Sequence, residues 1–107
     1  MKPTFIIITL GSVALSACVP AKNSIDIDVT EARGVTGSVM LCDRETPLVV
    51  QGTHLRASVP VTCEGVGEVR LRLGNDANAT CQIGYVSPGL EQDFLFALRG
   101  DECVPIP

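Results

Sequence analysis

From Ile25 onward, apolar and polar residues exchange places at every second position, in short runs broken by glycine, proline, asparagine and aspartate. A period of two puts successive side chains on opposite faces of an extended chain, so each run predicts a strand that buries one face. Ile25, Ile27 and Val29 against Asp26, Asp28 and Thr30 give the first. Val35 to Cys42 is β-branched and apolar with looser alternation, and the glycines at 34 and 37 predict a bulge or twist there. Asp43-Arg44-Glu45-Thr46-Pro47 reads as a turn, followed by a brief apolar Leu48-Val49-Val50 and a break at Gln51-Gly52. Leu55, Ala57, Val59, Val61 and Cys63 then share one parity against His54, Arg56, Ser58, Pro60 and Thr62, which aims Cys63 at the core. Pro60 has no N–H to give a ladder, so it predicts a sheet edge or a bend.

The alternation resumes after Glu64-Gly65, with Val69, Leu71 and Leu73 opposite Glu68, Arg70 and Arg72. Gly74-Asn75-Asp76-Ala77-Asn78 is a turn by composition, and beyond it Cys81, Ile83 and Tyr85 share a face, so residues 68–86 predict an antiparallel hairpin. Ser87-Pro88-Gly89 breaks the chain. Asp93 to Arg99 has apolar residues on both sides (Phe94, Phe96 and Leu98; Leu95 and Ala97), which predicts a central strand, and Gly100-Asp101-Glu102 is a turn before Cys103 pins the tail. No stretch keeps a helical period. Six to seven short strands between turn signals predict an all-β fold, a small antiparallel β-sandwich or barrel stapled by disulfides.

The N-terminus follows a different pattern. Met1-Lys2 supplies positive charge, Phe5 to Leu15 an apolar stretch, and Ser16-Ala17 small residues before Cys18, which is the anatomy of a secretory signal. Residues 3–21 carry no charge, but Pro3, Thr9, Gly11, Ser12, Ser16 and Pro20 dilute the run below what a membrane-spanning helix needs. Leu15-Ser16-Ala17-Cys18 resembles the lipobox of bacterial lipoprotein precursors. The resemblance covers residues 1–18. It implies cleavage before Cys18, a diacylglyceryl thioether on its sulfur and, in most members of the class, a third acyl chain on the freed amino group. One buried chain, at about 0.8 kcal/mol per methylene, binds a bilayer only marginally, whereas two or more anchor stably. The residue after Cys18 is Val19, not the aspartate that marks inner-membrane retention in this class, which implies the outer membrane and a periplasmic face. The chain thus divides into a signal peptide (1–17), a lipidated N-terminus with a short tether (18–24) and a single β domain (25–107).

Removing the signal takes Lys2 with it, so basic residues fall from 8 to 7 against 12 acidic ones and the net charge moves from −4 to −5. A mildly acidic domain with scattered arginines lacks the clustered basic face that binding nucleic acid requires. Asp26, Asp28 and Glu31 form the one local acidic group, read here as the wet face of a strand. Setting Cys18 aside leaves Cys42, Cys63, Cys81 and Cys103, an even number that can pair fully in an oxidising compartment. Structural zinc sites draw ligands in close pairs, and these cysteines are widely spaced, so no metal is expected. Three connectivities remain open. Order along the chain leans toward Cys42 with Cys63 and Cys81 with Cys103 without deciding it.

No chemical motif accompanies this framework, and no cofactor is expected. The only histidine, His54, lies on the polar parity beside Arg56 and Ser58 and reads as a surface imidazole. Glu64, Glu68 and Asp93 are carboxylates that only the fold could bring into a catalytic pair. Asn75-Asp76 lacks the bidentate glutamate of a calcium loop. The expectation is a non-catalytic binding or accessory domain, held at the membrane by Cys18 and using a strand edge or loop face for an envelope protein partner. The alternative is an inhibitor of a hydrolase such as lysozyme or a protease, although the Ser-Gly-x-x-Tyr and tryptophan motifs of the lysozyme-inhibitor lipoproteins are missing. A small hydrolase working through His54 ranks third.

Overall fold

One strand followed by four hairpins makes up the domain. The computed structural model describes residues 21–107, and no helix occurs among them. β1 (Lys22–Asp28) is followed by β2 (Thr36–Leu41) with β3 (Arg44–Pro47), β4 (Val49–Gln51) with β5 (His54–Pro60), β6 (Gly65–Arg72) with β7 (Asn78–Val86), and β8 (Asp93–Arg99) with β9 (Glu102–Pro105). The hairpins go alternately to two sheets, one of five strands in the order β4-β5-β1-β8-β9 and one of four in the order β3-β2-β6-β7. The two sheets pack face to face and carry two disulfides, so the expected stapled all-β sandwich is the architecture found.

The alternation decides which side of each strand goes in. Ile25, Ile27, Leu55, Val59, Phe96 and Leu98 of the five-stranded sheet meet Val39, Leu41, Val69, Leu71, Ala79 and Ile83 of the other, all nearly sealed from solvent. Val61 and Val86 close the core at the pole where the described chain begins, and Val29, Val35 and Leu73 close it at the opposite pole. The long sides are closed covalently. On one, β3 runs into β4 through Leu48, whose N–H donates to the Gly37 carbonyl at 2.9 Å. On the other, Cys81 of β7 is bonded to Cys103 of β9, tying the two edge strands together. Cys42 is bonded to Cys63, joining the β2–β3 turn to the segment that crosses from β5 to β6.

Several sequence expectations change in detail. Among the described residues nine strands replace six or seven, because Arg44–Pro47 and Glu102–Pro105, read as turn and tail, are edge strands. Charge and proline are what protect such edges from pairing with other chains, so composition hid them as turns. The β2–β3 turn shrinks to Cys42 and Asp43, both left-handed with φ of 55° and 58°, the geometry of a tight type I′ hairpin. Every pairing is antiparallel except β1 with β8, which is parallel, with Ile25 opposite Phe94 and Ile27 opposite Phe96. Gly37 makes no bulge. It sits in register opposite Leu71, and a Cβ there would come within 2.6 Å of the Arg70 carbonyl oxygen, so glycine lets β2 and β6 approach. The irregularity lies on the other flank of β6, where Gly67 faces Ile83 but Gly65 faces Val86. That extra residue in β7 reverses the parity, so Val86 turns inward and Tyr85, expected on the core face, is 59% exposed.

Lys22, Asn23 and Ser24, read as the end of a tether, open β1 instead. Asn23 shares the inward face with Ile25 and Ile27, is 0% exposed, and neither of its amide atoms finds a hydrogen-bond partner. An enclosed amide without partners costs about 1–3 kcal/mol. Asn23→Val is therefore expected to raise stability by about 1–3 kcal/mol in equilibrium urea unfolding. In the same assay the double variant Cys81→Ala/Cys103→Ala, which opens a loop of sequence separation 22, is expected to lose about 3 kcal/mol.

Candidate functional site

Position on β1 determines what gathers on the outer face of the five-stranded sheet. Asp26 has Arg56 of β5 on one side and Leu95 of β8 on the other, and Asp28 in the same way lies between His54 and Ala97. β4 and β9 extend the rows, placing Val49 beside Arg56, Gln51 beside His54 and Val104 beside Ala97. At the centre Asp26 divides its carboxylate between two neighbours. Oδ1 lies 2.6 Å from His54 Nδ1, and Oδ2 accepts from Arg56 Nε at 2.7 Å. Arg56 Nη1 in turn donates to Gln51 Oε1 at 3.1 Å. Asp26 retains only 22% of its side-chain exposure, so this network is more screened from water than a free surface ion pair.

Exposed apolar side chains flank the charged centre. Val49 is exposed on the β4 side, and Leu95, Val104 and Ile106 are exposed on the β8–β9 side, where the Ile106 N–H donates to the Leu95 carbonyl at 2.9 Å. The result is a surface with oriented charge in the middle and aliphatic side chains on either flank. A separate apolar recess lies at the pole away from Lys22, lined by Val29, Ala32, Val35, Val50 and Leu55.

Asp28 closes the upper end of β1. Its Oδ1 accepts the Thr30 N–H at 2.9 Å and the Thr30 hydroxyl. The Thr30 hydroxyl first, then the Thr30 N–H, hold the Asp28 carboxyl below the ordinary carboxylate range, with His54 and Arg99 adding smaller favourable charge. Glu31, the third member of the acidic group, lines a small recess together with Asp28 and Arg99 and faces the Arg99 guanidinium at 3.6 Å.

The other residues singled out from the sequence are dispersed. Cys18 lies outside the described residues. Glu68 pairs with Arg70 on the outer face of the four-stranded sheet, Asp93 accepts from the Ser24 hydroxyl on the outer face of the other sheet, and Glu64 accepts from the Tyr85 hydroxyl at 3.2 Å. The fold thus sets these carboxylates apart and gives each its own partner. Asn75 Oδ1 accepts from the Ala77 N–H at 3.0 Å while Asp76 takes a φ of 68°, which is turn chemistry. Among the described residues, no three His, Cys, Asp or Glu side chains converge as a metal-binding group. Sequence reading missed the Asp26–His54–Arg56 grouping because residues 28 or more apart in sequence become neighbours only through register. Their shared polar parity was the available signal. Compared with known protein families, with curated proteins and with solved structures, the chain matches none.

Because the folded state holds the Asp28 carboxyl below its unfolded value, it contributes stability above the ordinary carboxylate range and loses it as pH falls through the folded value. Thr30→Val, which removes the hydroxyl donor, is expected to be less stable than the native chain near neutral pH. The difference should close as the carboxyl is protonated, which urea midpoints measured from pH 7 down to about pH 2 would register.

Proposed function

We propose that this chain is a lipid-anchored lipoprotein of the bacterial cell envelope, held at the outer membrane through Cys18 and facing the periplasm, with the β-sandwich serving as a non-catalytic binding module for another envelope protein. The observation that carries the binding reading is the outer face of the five-stranded sheet. There Leu95, Val104, Ile106 and Val49 stand exposed around an oriented Asp26–His54–Arg56 centre. Protein interfaces combine these same ingredients, apolar area for burial and a few oriented charges for register and choice of partner. The five-stranded sheet that supplies them is joined to its partner sheet at both long sides, by the β3–β4 chain on one and the Cys81–Cys103 bridge on the other.

Two features support the anchor and the compartment. The run Leu15-Ser16-Ala17-Cys18 has the form of a lipobox, and Cys18 is the fifth cysteine, outside the two bridges that use the other four. Such bridges persist in oxidising compartments like the periplasm and are rare in the cytosol.

The test begins with expression in a two-membrane bacterium fed an alkyne-bearing fatty acid. The native chain is expected to take up the label and sediment with the membranes, and Cys18→Ala to do neither; an unlabelled native chain would remove the anchor from the reading. For the binding module, a photo-cross-linking residue at Leu95 is expected to capture one envelope protein reproducibly, and the adduct to disappear in Asp26→Ala/Arg56→Ala. An adduct formed equally from Thr80, on the opposite outer face, would refute the assignment of this sheet.

A further inference from the structure

The strands have two poles, and the chain emerges from one of them. β1 starts there at Lys22, with the Ala21 carbonyl accepting the Val61 N–H at 3.0 Å. Register places the end of β5, the start of β6, the end of β7 and the start of β8 at this same pole, with the Cys42–Asp43 turn beside them. Three large apolar side chains stand open here. Val66 at the bulge is 72% exposed, Tyr85 is 59% exposed, and Leu90 in the β7–β8 loop is 51% exposed. Tyr85 faces outward only because the extra residue in β7 reverses its parity. Its hydroxyl is held by Glu64, so the ring presents an apolar body with an anchored polar tip.

Cys18 precedes Ala21 by three residues. However those residues are arranged, they reach at most about 11 Å. A lipid on Cys18 therefore confines this pole to within that distance of the headgroups, while the opposite pole stands a strand length farther out. We infer that the N-terminal pole is a membrane-seating surface, in which Val66, Tyr85 and Leu90 rest in the interfacial layer of a zwitterionic bilayer; this rests on the reading of Cys18 as the lipid anchor. Aromatic rings with a polar tip favour that layer, where one end is apolar and the other wet. Asp43, Glu64 and Glu91 outnumber Lys22 and Arg44 at this pole, so the charge favours zwitterionic over anionic headgroups. The contact is too small to hold the protein by itself. With the anchor supplying a high local concentration, it sets the orientation instead. Seated in this way, the strands stand along the membrane normal, and the outer face of the five-stranded sheet is presented sideways to the periplasm.

Tyr85 is the chain's only tyrosine and there is no tryptophan, so intrinsic fluorescence reports on this pole alone. The full chain, purified from membranes with its lipid verified by mass and reconstituted in phosphatidylcholine vesicles, is expected to show Tyr85 quenched by lipids carrying a shallow nitroxide. Its quenching by aqueous acrylamide should fall about twofold or more relative to the soluble Cys18→Ala form, as interfacial seating of the ring requires. Val66→Ser/Leu90→Ser, both at exposed positions, should restore acrylamide access while the lipid remains attached. A reporter at the opposite pole, Asp101→Trp, should be insensitive to the nitroxide lipid. Lipid present with Tyr85 as open as in the soluble form would overturn the seating surface and leave the anchor standing. Absence of lipid on Cys18 would overturn both.

Discussion

The whole domain is organised by the central position of β1. It uses both of its edges, antiparallel to β5 and parallel to β8, so the five-stranded sheet has no coherent middle without it. Its inward residues Ile25 and Ile27 are among the most deeply enclosed side chains, and its outward Asp26 organises the charged centre of the opposite face. A central first strand has a further effect. Because Lys22 opens that strand at one pole of the sandwich, anything attached just before Ala21 is held against that pole.

The two hypothesised surfaces are consequently set at right angles by the architecture. The pole bearing Val66, Tyr85 and Leu90 belongs to the strand ends, and the Asp26–His54–Arg56 face belongs to the strand sides. One can be engaged without covering the other. The four-stranded sheet differs from both: its outer face carries Glu68, Arg70, Arg72 and Ser38, with Ser38 donating to Glu45 at 2.8 Å, a polar surface with small residues. That contrast between the two sheet faces gives the domain a distinct front and back.

Strand identity was legible where one face is buried, since burial is what imposes the period of two. Ile25, Ile27, Leu55, Val59, Val69 and Leu71 all went inward as read. The hairpin over residues 68–86 was legible because a glycine- and asparagine-rich turn separates two alternating runs. The rest depended on information that a period of two does not carry. β3 and β9 are short edges whose polar and proline content serves to discourage pairing, so they resemble turns. The bulge at Gly65–Gly67 reverses parity for a pair of residues, which misplaced Tyr85. Asn23 broke the apolar row at its first inward position and so disguised the start of β1. The candidate site was visible only as residues of common parity. Register, a long-range property, is what made Asp26, His54 and Arg56 neighbours.

The parallel pairing of β1 with β8 also has a bearing on how the domain assembles. The four hairpins close between residues near in sequence, whereas Ser24 must wait for Asp93, 69 positions later, before that side of its strand is satisfied. Any process that delivers the chain from its N-terminus, synthesis or secretion alike, releases the central strand first and completes its partners last. During that interval Ile25 and Ile27 have no full core to enter, and one edge of β1 offers unpaired backbone to whatever is near. The innermost strand of the finished sandwich is thus the segment that waits longest for its partners while the domain is being made.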